Sequence, residues 1–179
     1  MIESNKSIKN TIPLVPAHST ELAAQRIAGF LAHPRSLVRI APSWAAPQTT
    51  LEASQEHGTQ TTVRAYRRRI SATAWRRIIG ENPPASSTPE GRAPDLYVVT
   101  LHAIVSGDTI AVDSSLRSHT ATIHSLFRLV IGTAVHDVER IAEAQGDGSR
   151  AWTWHALMTG QQLRQRGSAL AESPHGRAA

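Results

Sequence analysis

The feature that most limits the fold of this chain is a long apolar stripe at helical spacing between residues 114 and 144. Neighbouring apolar residues widen the stripe to nearly half of the helix circumference, which is typical of a deeply packed helix. We therefore predict one helix over about 114–144, with Asp113 or Ser118 as its N-cap. The stripe consists of these residues: Leu116, Ile123, Phe127, Val130, Ala134, Val138 and Ile141.

A second helix is expected after a break at residues 145–149, where Gly146 suits a left-handed C-cap. Residues 150–166 then predict a final helix that includes Trp152 and Trp154. Two successive helices joined by a short turn form an αα-hairpin, which we expect at the C-terminal end of the domain.

Two shorter elements are predicted near the start of the chain. Residues 21–31 have one apolar helical face, and Ser19 or Thr20 is suited to cap that helix. Residues 37–41 predict a strand that Pro42 closes. Pro34 separates the two elements, because the residue before a proline is pushed out of helical geometry.

A central strand is predicted over residues 96–105, which are apolar on both alternating faces. Residues 106–109 favour a hairpin turn, with 110–112 pairing back onto the strand. Taken together, these elements predict an α+β fold. It consists of a small, mainly antiparallel sheet packed on helices, with the long C-terminal helix followed by the second helix.

The chain is long enough for one domain with modest tails. We expect a flexible segment over 1–18, a single domain over 19–166 and a flexible tail over 167–179. Four prolines and two glycines in residues 80–94 predict a Pro-rich loop at 80–95.

Positive charge is concentrated in residues 64–77, which contain six arginines and no acid. The whole chain has a net charge of +5, so the remaining residues are together slightly negative. As a helix, this window places Tyr66 and Ile70 in an apolar stripe, and we favour that interpretation. A strand throughout would put arginines on both faces, which only a solvated sheet edge tolerates. The alternative that combines the two is a strand to Ile70 followed by a helix that Ser71 caps.

This arginine-rich window is the candidate binding site, because arginine forks match phosphate groups and aromatic rings stack on bases. We expect a non-enzymatic nucleic-acid-binding or accessory protein, with DNA or RNA as partner. No helix-turn-helix, zinc-finger or ribonucleoprotein motif is present to specify the ligand further. The predicted binding residues are Arg64, Tyr66, Arg67, Arg68, Arg69, Trp75, Arg76 and Arg77.

Two alternatives remain open at this point. The first is a structural assembly protein of the kind found in phage or injection particles, as a homo-oligomer or on a protein partner. It would use its basic face and Trp44, Trp152 and Trp154 as contacts. The second is a small metal-independent ribonuclease that uses His57, Tyr66 and residues 67–69.

Other classes of chemistry have no support in the sequence. The chain has no cysteine, which excludes disulfides and thiolate metal sites, and we predict no metal, cofactor or catalytic residue. We expect His102 to be a hydrogen-bonded histidine in a buried strand. Asp113, Ser114, Ser115 and His119 contain the residue types of a hydrolase triad, but a capped helix start explains them better.

No signal peptide or membrane-spanning run is found in the sequence, so we expect a cytoplasmic protein. The excess of arginine and alanine suits a chain encoded by GC-rich DNA, and a prokaryotic source is our expectation.

Overall fold

The computed structural model describes residues 15–17, 19–33, 38–42, 59–85, 93–132, 136–144 and 148–172. It is an α+β protein, which confirms the predicted fold class. The elements in chain order are β1 (Val15–Ala17), α1 (Thr20–Leu31), β2 (Val38–Pro42), β3 (Gln60–Ile70), α2 (Ala72–Ile79), β4 (Leu96–Ser106), α3 (Thr109–Ile131), β5 (His136–Ala144), β6 (Arg150–Thr159) and α4 (Gly160–Ala171).

The strands form one sheet in the order β1-β2-β3-β4-β6-β5. The pair β1–β2 is parallel, and every other pair is antiparallel. β4 is paired along its length on both sides, from Ile70↔Leu96 to Gln60↔Ser106 with β3, and from Leu96↔Thr159 onward with β6. Its apolar composition suits this central position, as predicted for residues 96–105.

Three helices cover one face of the sheet, which we call the helix-bearing face. Ile27 of α1, Phe127 of α3 and Leu163 of α4 belong to one buried cluster. That cluster also contains alternate residues of the central strands. These strand residues are Val63 and Ala65 of β3, Val99, Leu101, Ala103 and Val105 of β4, and Trp152, Trp154, Ala156 and Met158 of β6.

The opposite face of the sheet, which we call the open face, bears only α2 among the described elements. Trp75 of α2 packs with Leu96 and Leu157, which are on the alternate side of β4 and β6 from the main cluster. Because side chains alternate along a strand, this small cluster lies on the open face. Ser71 caps the start of α2, and Gly80 ends it with a left-handed φ of 83°.

The predicted long helix over 114–144 is wrong at both ends. α3 begins at Thr109 with Asp108 as its N-cap, so the expected hairpin turn at 106–109 and return strand at 110–112 do not form. The helix ends at Ile131, where Gly132 adopts a φ of 61° that other residues rarely reach.

The predicted αα-hairpin is also wrong, because the residues expected to form its helices are partly in strands. Residues 136–144 and 150–159 are the strands β5 and β6, and the last helix begins only at Gly160. The apolar residues 152, 154, 156 and 158 are buried at a period of two, as expected of a strand. This strand, β6, pairs with β4 on the side opposite to β3. Tertiary pairing therefore overrides the helical spacing in this part of the chain.

The arginine-rich window is a strand followed by a helix, so the helix that we favoured is wrong and the alternative is confirmed. β3 continues to Ile70, and Ser71 accepts a hydrogen bond from the backbone N–H of Ala74. The other early predictions hold within a residue or two, since Ser19 caps α1 and β2 covers residues 38–42.

The domain boundaries stay a prediction. β1 falls inside the segment predicted as flexible at 1–18, and α4 extends past residue 166 to Ala171. The remainder of both tails, Gly146 and the middle of the Pro-rich loop lie outside the described residues.

His119 is the buried titratable group of this core. It is 1 % exposed on α3, with Nε2 3.4 Å from Oγ1 of Thr59 and with Nδ1 buried without a partner. Burial lowers the pKa of His119 from its usual value of 6.5, because the charged ring would lose its hydration.

We expect His119 to reduce stability in acid. The unfolded chain protonates this ring near its usual pKa while the folded protein does not, so the free energy of unfolding should fall as pH drops below about 6.5. Unfolding in urea, followed by circular dichroism at pH 7.5 and 5.5, measures the loss. The variant His119→Gln should lose less stability over this range, and identical losses in both proteins would contradict the assignment.

Candidate functional site

The six arginines of residues 64–77 do not form one patch, because β3 sends alternate side chains to opposite faces of the sheet. Arg64 and Arg68 lie on the open face with Tyr66 between them. Arg67 and Arg69 lie on the helix-bearing face. This division follows from the strand period of two.

The open face has a regular order of side chains across three strands. Arg64 is opposite His102 of β4, which is opposite Thr153 of β6. In the next row, Tyr66 is opposite Thr100, which is opposite His155. The site therefore combines a cation, an aromatic ring and two imidazoles on one surface.

Hydrogen bonds across the strands hold the imidazoles in place. Nδ1 of His102 lies 2.9 Å from Oγ1 of Thr153, and Nδ1 of His155 lies 3.0 Å from Oγ1 of Thr100. Each histidine thus has a threonine neighbour on the adjoining strand. His102 has the hydrogen bond that we expected, but it is half-buried on the open face rather than inside the core.

The charged side chains that β3, β4 and β6 carry on the open face are all positive. The positions of β3, β4 and β6 on this side include no aspartate or glutamate. Arg64 and Arg68 are exposed, and within the described part of the chain neither guanidinium has an ion pair. Tyr66 is 44 % exposed, so its ring and hydroxyl are accessible beside two unneutralised cations.

The arginines of the helix-bearing face have different surroundings. Cζ of Arg67 lies 4.3 Å from the centre of the Tyr97 ring, a cation–π contact. Nη2 of Arg69 donates to Oδ1 of Asp95 at 2.7 Å. These two predicted residues are therefore separated from Tyr66 by the sheet itself.

The prediction that Trp75 stacks on a base conflicts with its position. The indole is fully buried beneath α2 against Leu96 and Leu157, so its ring faces touch protein. Arg76 and Arg77 are exposed in the last turn of the same helix. Because α2 packs on the open face, these two cations belong to that side of the molecule.

The alternative sites of the sequence analysis are not assembled by the described residues. Tyr66 and Arg67 point to opposite faces, and His57 lies outside the described residues. Trp152 and Trp154 are 2 % exposed and belong to the core rather than to an interface, while Trp44 is outside the described residues.

Of the triad types near the start of α3, Asp113 and His119 have hydrogen-bond partners outside the group. The Asp113 carboxylate accepts a hydrogen bond from Arg150 at 3.2 Å, and the His119 ring has Thr59 as its partner. Among the described residues, no group of three or more His, Asp or Glu side chains could hold a metal ion. No described helix is sufficiently long and apolar to cross a membrane.

Sequence reasoning missed His155 and the two threonines. The spacing of residues 150–166 predicts a helix, and a helix does not place His155 opposite Thr100. The available signal was the alternation of apolar residues at 152, 154, 156 and 158, which places 153 and 155 on the other face of a strand.

The two aromatic residues of the arginine-rich window should respond differently to truncation. Trp75→Ala should lower the free energy of unfolding by about 3–5 kcal/mol, because it empties the cluster beneath α2. Tyr66→Ala should change it by less than about 1 kcal/mol, because the ring is partly exposed on the surface. Urea unfolding followed by circular dichroism measures both, and a larger loss for Tyr66→Ala would place Tyr66 in the core.

No protein-family model matches this chain, and neither a curated protein nor a solved structure matches it. The geometry and charge of the open face therefore carry the proposed function.

Proposed function

We propose that the open face of the sheet binds single-stranded nucleic acid, without catalysing a reaction on it. The observation that supports this most directly is the position of Tyr66, which is exposed between Arg64 and Arg68, two cations without an ion pair among the described residues. On this side of the sheet, β3, β4 and β6 carry no acid. Exposed sheet faces with an aromatic side chain suit splayed bases, which stack on the ring.

The spacing along β3 suits one nucleotide on Tyr66 with a phosphate on either side. Residues two apart on a strand have Cα atoms roughly 6.7 Å apart, so Arg64 and Arg68 are separated by roughly 13 Å. Flexible arginine side chains extend from these two positions toward the backbone of a strand that crosses the ring. Their guanidinium forks can donate bidentately to phosphate oxygens.

The histidines supply polar contacts for base edges. His102 and His155 each have Nδ1 beside a threonine hydroxyl, and a histidine ring nitrogen donates or accepts according to its tautomer. His102 on β4 and His155 on β6 are in the same rows of the sheet as Arg64 and Tyr66, beside the proposed position of the stacked nucleotide. This arrangement favours single strands over duplexes, because the base edges and faces of a duplex are already paired and stacked.

Arg76 and Arg77 stay in this proposal as additional phosphate contacts from α2. Arg67 and Arg69 leave it, because the sheet separates them from Tyr66. We further expect the protein to act in the cytoplasm, and we leave open whether its natural ligand is RNA or DNA.

Removal of the aromatic ring should weaken binding. Tyr66→Ala is expected to lose about 1–3 kcal/mol of binding free energy to a fluorescent mixed-sequence single strand, because one base loses its stacking partner. Fluorescence anisotropy at low salt measures the affinity. Tyr66→Phe is the matched control and should retain most of it, and equal affinities of the wild type and Tyr66→Ala would refute the stacking site.

Removal of the two open-face cations should flatten the salt dependence. Arg64→Gln/Arg68→Gln should reduce the slope of log K against log salt by about 1.4, since each phosphate contact on a single strand contributes about 0.7. The control Arg117→Gln/Arg128→Gln removes the same charge from α3 on the helix-bearing side and should leave the slope nearly unchanged. Equal slopes in both double variants would mean that only net charge matters.

The two other functions make different predictions for the same reagents. If the single strand does not bind at low salt, the structural assembly protein is favoured, either with an acidic protein partner or as a homo-oligomer. If the single strand is RNA and it is cleaved during the measurement, the metal-independent ribonuclease is favoured.

A further inference from the structure

A second group of arginines lies on the helix-bearing face, where β3 ends and β4 begins. We call it the arginine corner, made of Arg67, Arg69 and Arg164 around Asp95 and Tyr97. A Cβ placed on Gly160 would be 3.4 Å from Nη1 of Arg164, 3.4 Å from Cβ of Asp95 and 3.5 Å from Cε2 of Tyr97. Arg67 and Arg69 contact the same Tyr97 and Asp95, so three guanidinium groups share one small region.

The arginine corner has more positive charge than its acid can neutralise. Asp95 is engaged by Arg69 at 2.7 Å, and no other carboxylate pairs with these arginines in the described part of the chain. Nε of Arg67 is buried with no hydrogen-bond partner. Neighbouring like charges repel and an unsatisfied buried donor costs free energy, so this arrangement favours the arrival of an anion.

We propose that the arginine corner binds a phosphate group. The Tyr97 ring holds the Arg67 guanidinium from one side, Asp95 orients Arg69, and Arg164 approaches from the second turn of α4. Guanidinium groups can donate paired hydrogen bonds that match the oxygens of a phosphate. The arginine corner lies on the other side of the sheet from Tyr66, so it is a site separate from the proposed nucleic-acid surface.

Two kinds of ligand could present this phosphate group with the same chemistry. One is a free phosphate or small phosphorylated molecule, and the other is the terminal phosphate of a nucleic-acid strand. Both present a dianion with three free oxygens, whereas phosphates inside a strand present one charge.

Thermal unfolding in phosphate tests the site on the full chain. Melting temperatures of the wild type, Arg67→Gln/Arg164→Gln and the control Arg117→Gln/Arg128→Gln are compared in potassium phosphate and in potassium chloride of equal ionic strength. Phosphate at about ten times its dissociation constant should raise the melting temperature of the wild type and the control by about 3–5 °C. In Arg67→Gln/Arg164→Gln this specific rise should disappear.

Phosphate also stabilises proteins in general by exclusion from their surface. That contribution is common to all three proteins, so the difference between variants is the readout. Equal rises in all three proteins would overturn the proposal.

Should Arg67→Gln/Arg164→Gln fail to fold, the single variant Arg164→Gln replaces it, because Arg164 is exposed and makes no ion pair in the described structure. It should bind inorganic phosphate about tenfold more weakly by titration calorimetry, and unchanged affinity would overturn the proposal.

Matched oligonucleotides with a 5′-phosphate or a 5′-hydroxyl then identify the source. Tighter binding of the phosphorylated strand by the wild type, and not by Arg67→Gln/Arg164→Gln, assigns the site to a nucleic-acid end. Equal binding of both strands, together with the thermal rise, assigns it to a small phosphate. Because the thermal readout uses phosphate alone, it does not depend on whether the open face binds nucleic acid.

Discussion

The structure depends on the pairing and burial of β4. This strand is hydrogen-bonded along its length to β3 and β6, and its alternate residues Val99, Leu101, Ala103 and Val105 are completely buried under the helices. Each buried valine or leucine side chain contributes about 1.5–3 kcal/mol, and the cross-strand hydrogen bonds satisfy the backbone that is buried with them. The register of the neighbouring strands follows from that of β4, because a shift by one residue would turn their apolar residues to solvent.

The position of the charged residues follows from this register. β3 is paired with β4 from Gln60 to Ile70, so its arginines must alternate between the two faces. The cluster of six charges in the sequence therefore becomes two smaller groups in space, with different neighbours. On the open face the cations flank a tyrosine, and on the helix-bearing face they surround an aspartate and a second tyrosine.

The arginines of the two faces also differ in the contacts that restrict their side chains. Arg64 and Arg68 are exposed and without partners in the described structure, which suits contact with a flexible polyanion. Arg67 and Arg69 are each held by a neighbour, at 4.3 Å from the Tyr97 ring centre and 2.7 Å from Asp95. A side chain that is already ordered loses less entropy when it binds, and the contact of Arg67 with Tyr97 therefore supports the proposal of a small anion at the arginine corner.

The sequence by itself determined the α+β class, the start of α1 near Ser19 or Thr20, the central strand at 96–105 and the concentration of arginines in residues 64–77. Local chemistry decides these features, because capping, alternation and charge are properties of a few neighbouring residues. Only the tertiary structure decided that residues 136–144 and 150–159 are strands, since their helical spacing gives way to pairing of β6 with β4 and of β5 with β6. It also decided that Trp75 is buried, that His155 lies opposite Thr100 and that the arginines divide between two faces, because each depends on which strand lies next to which.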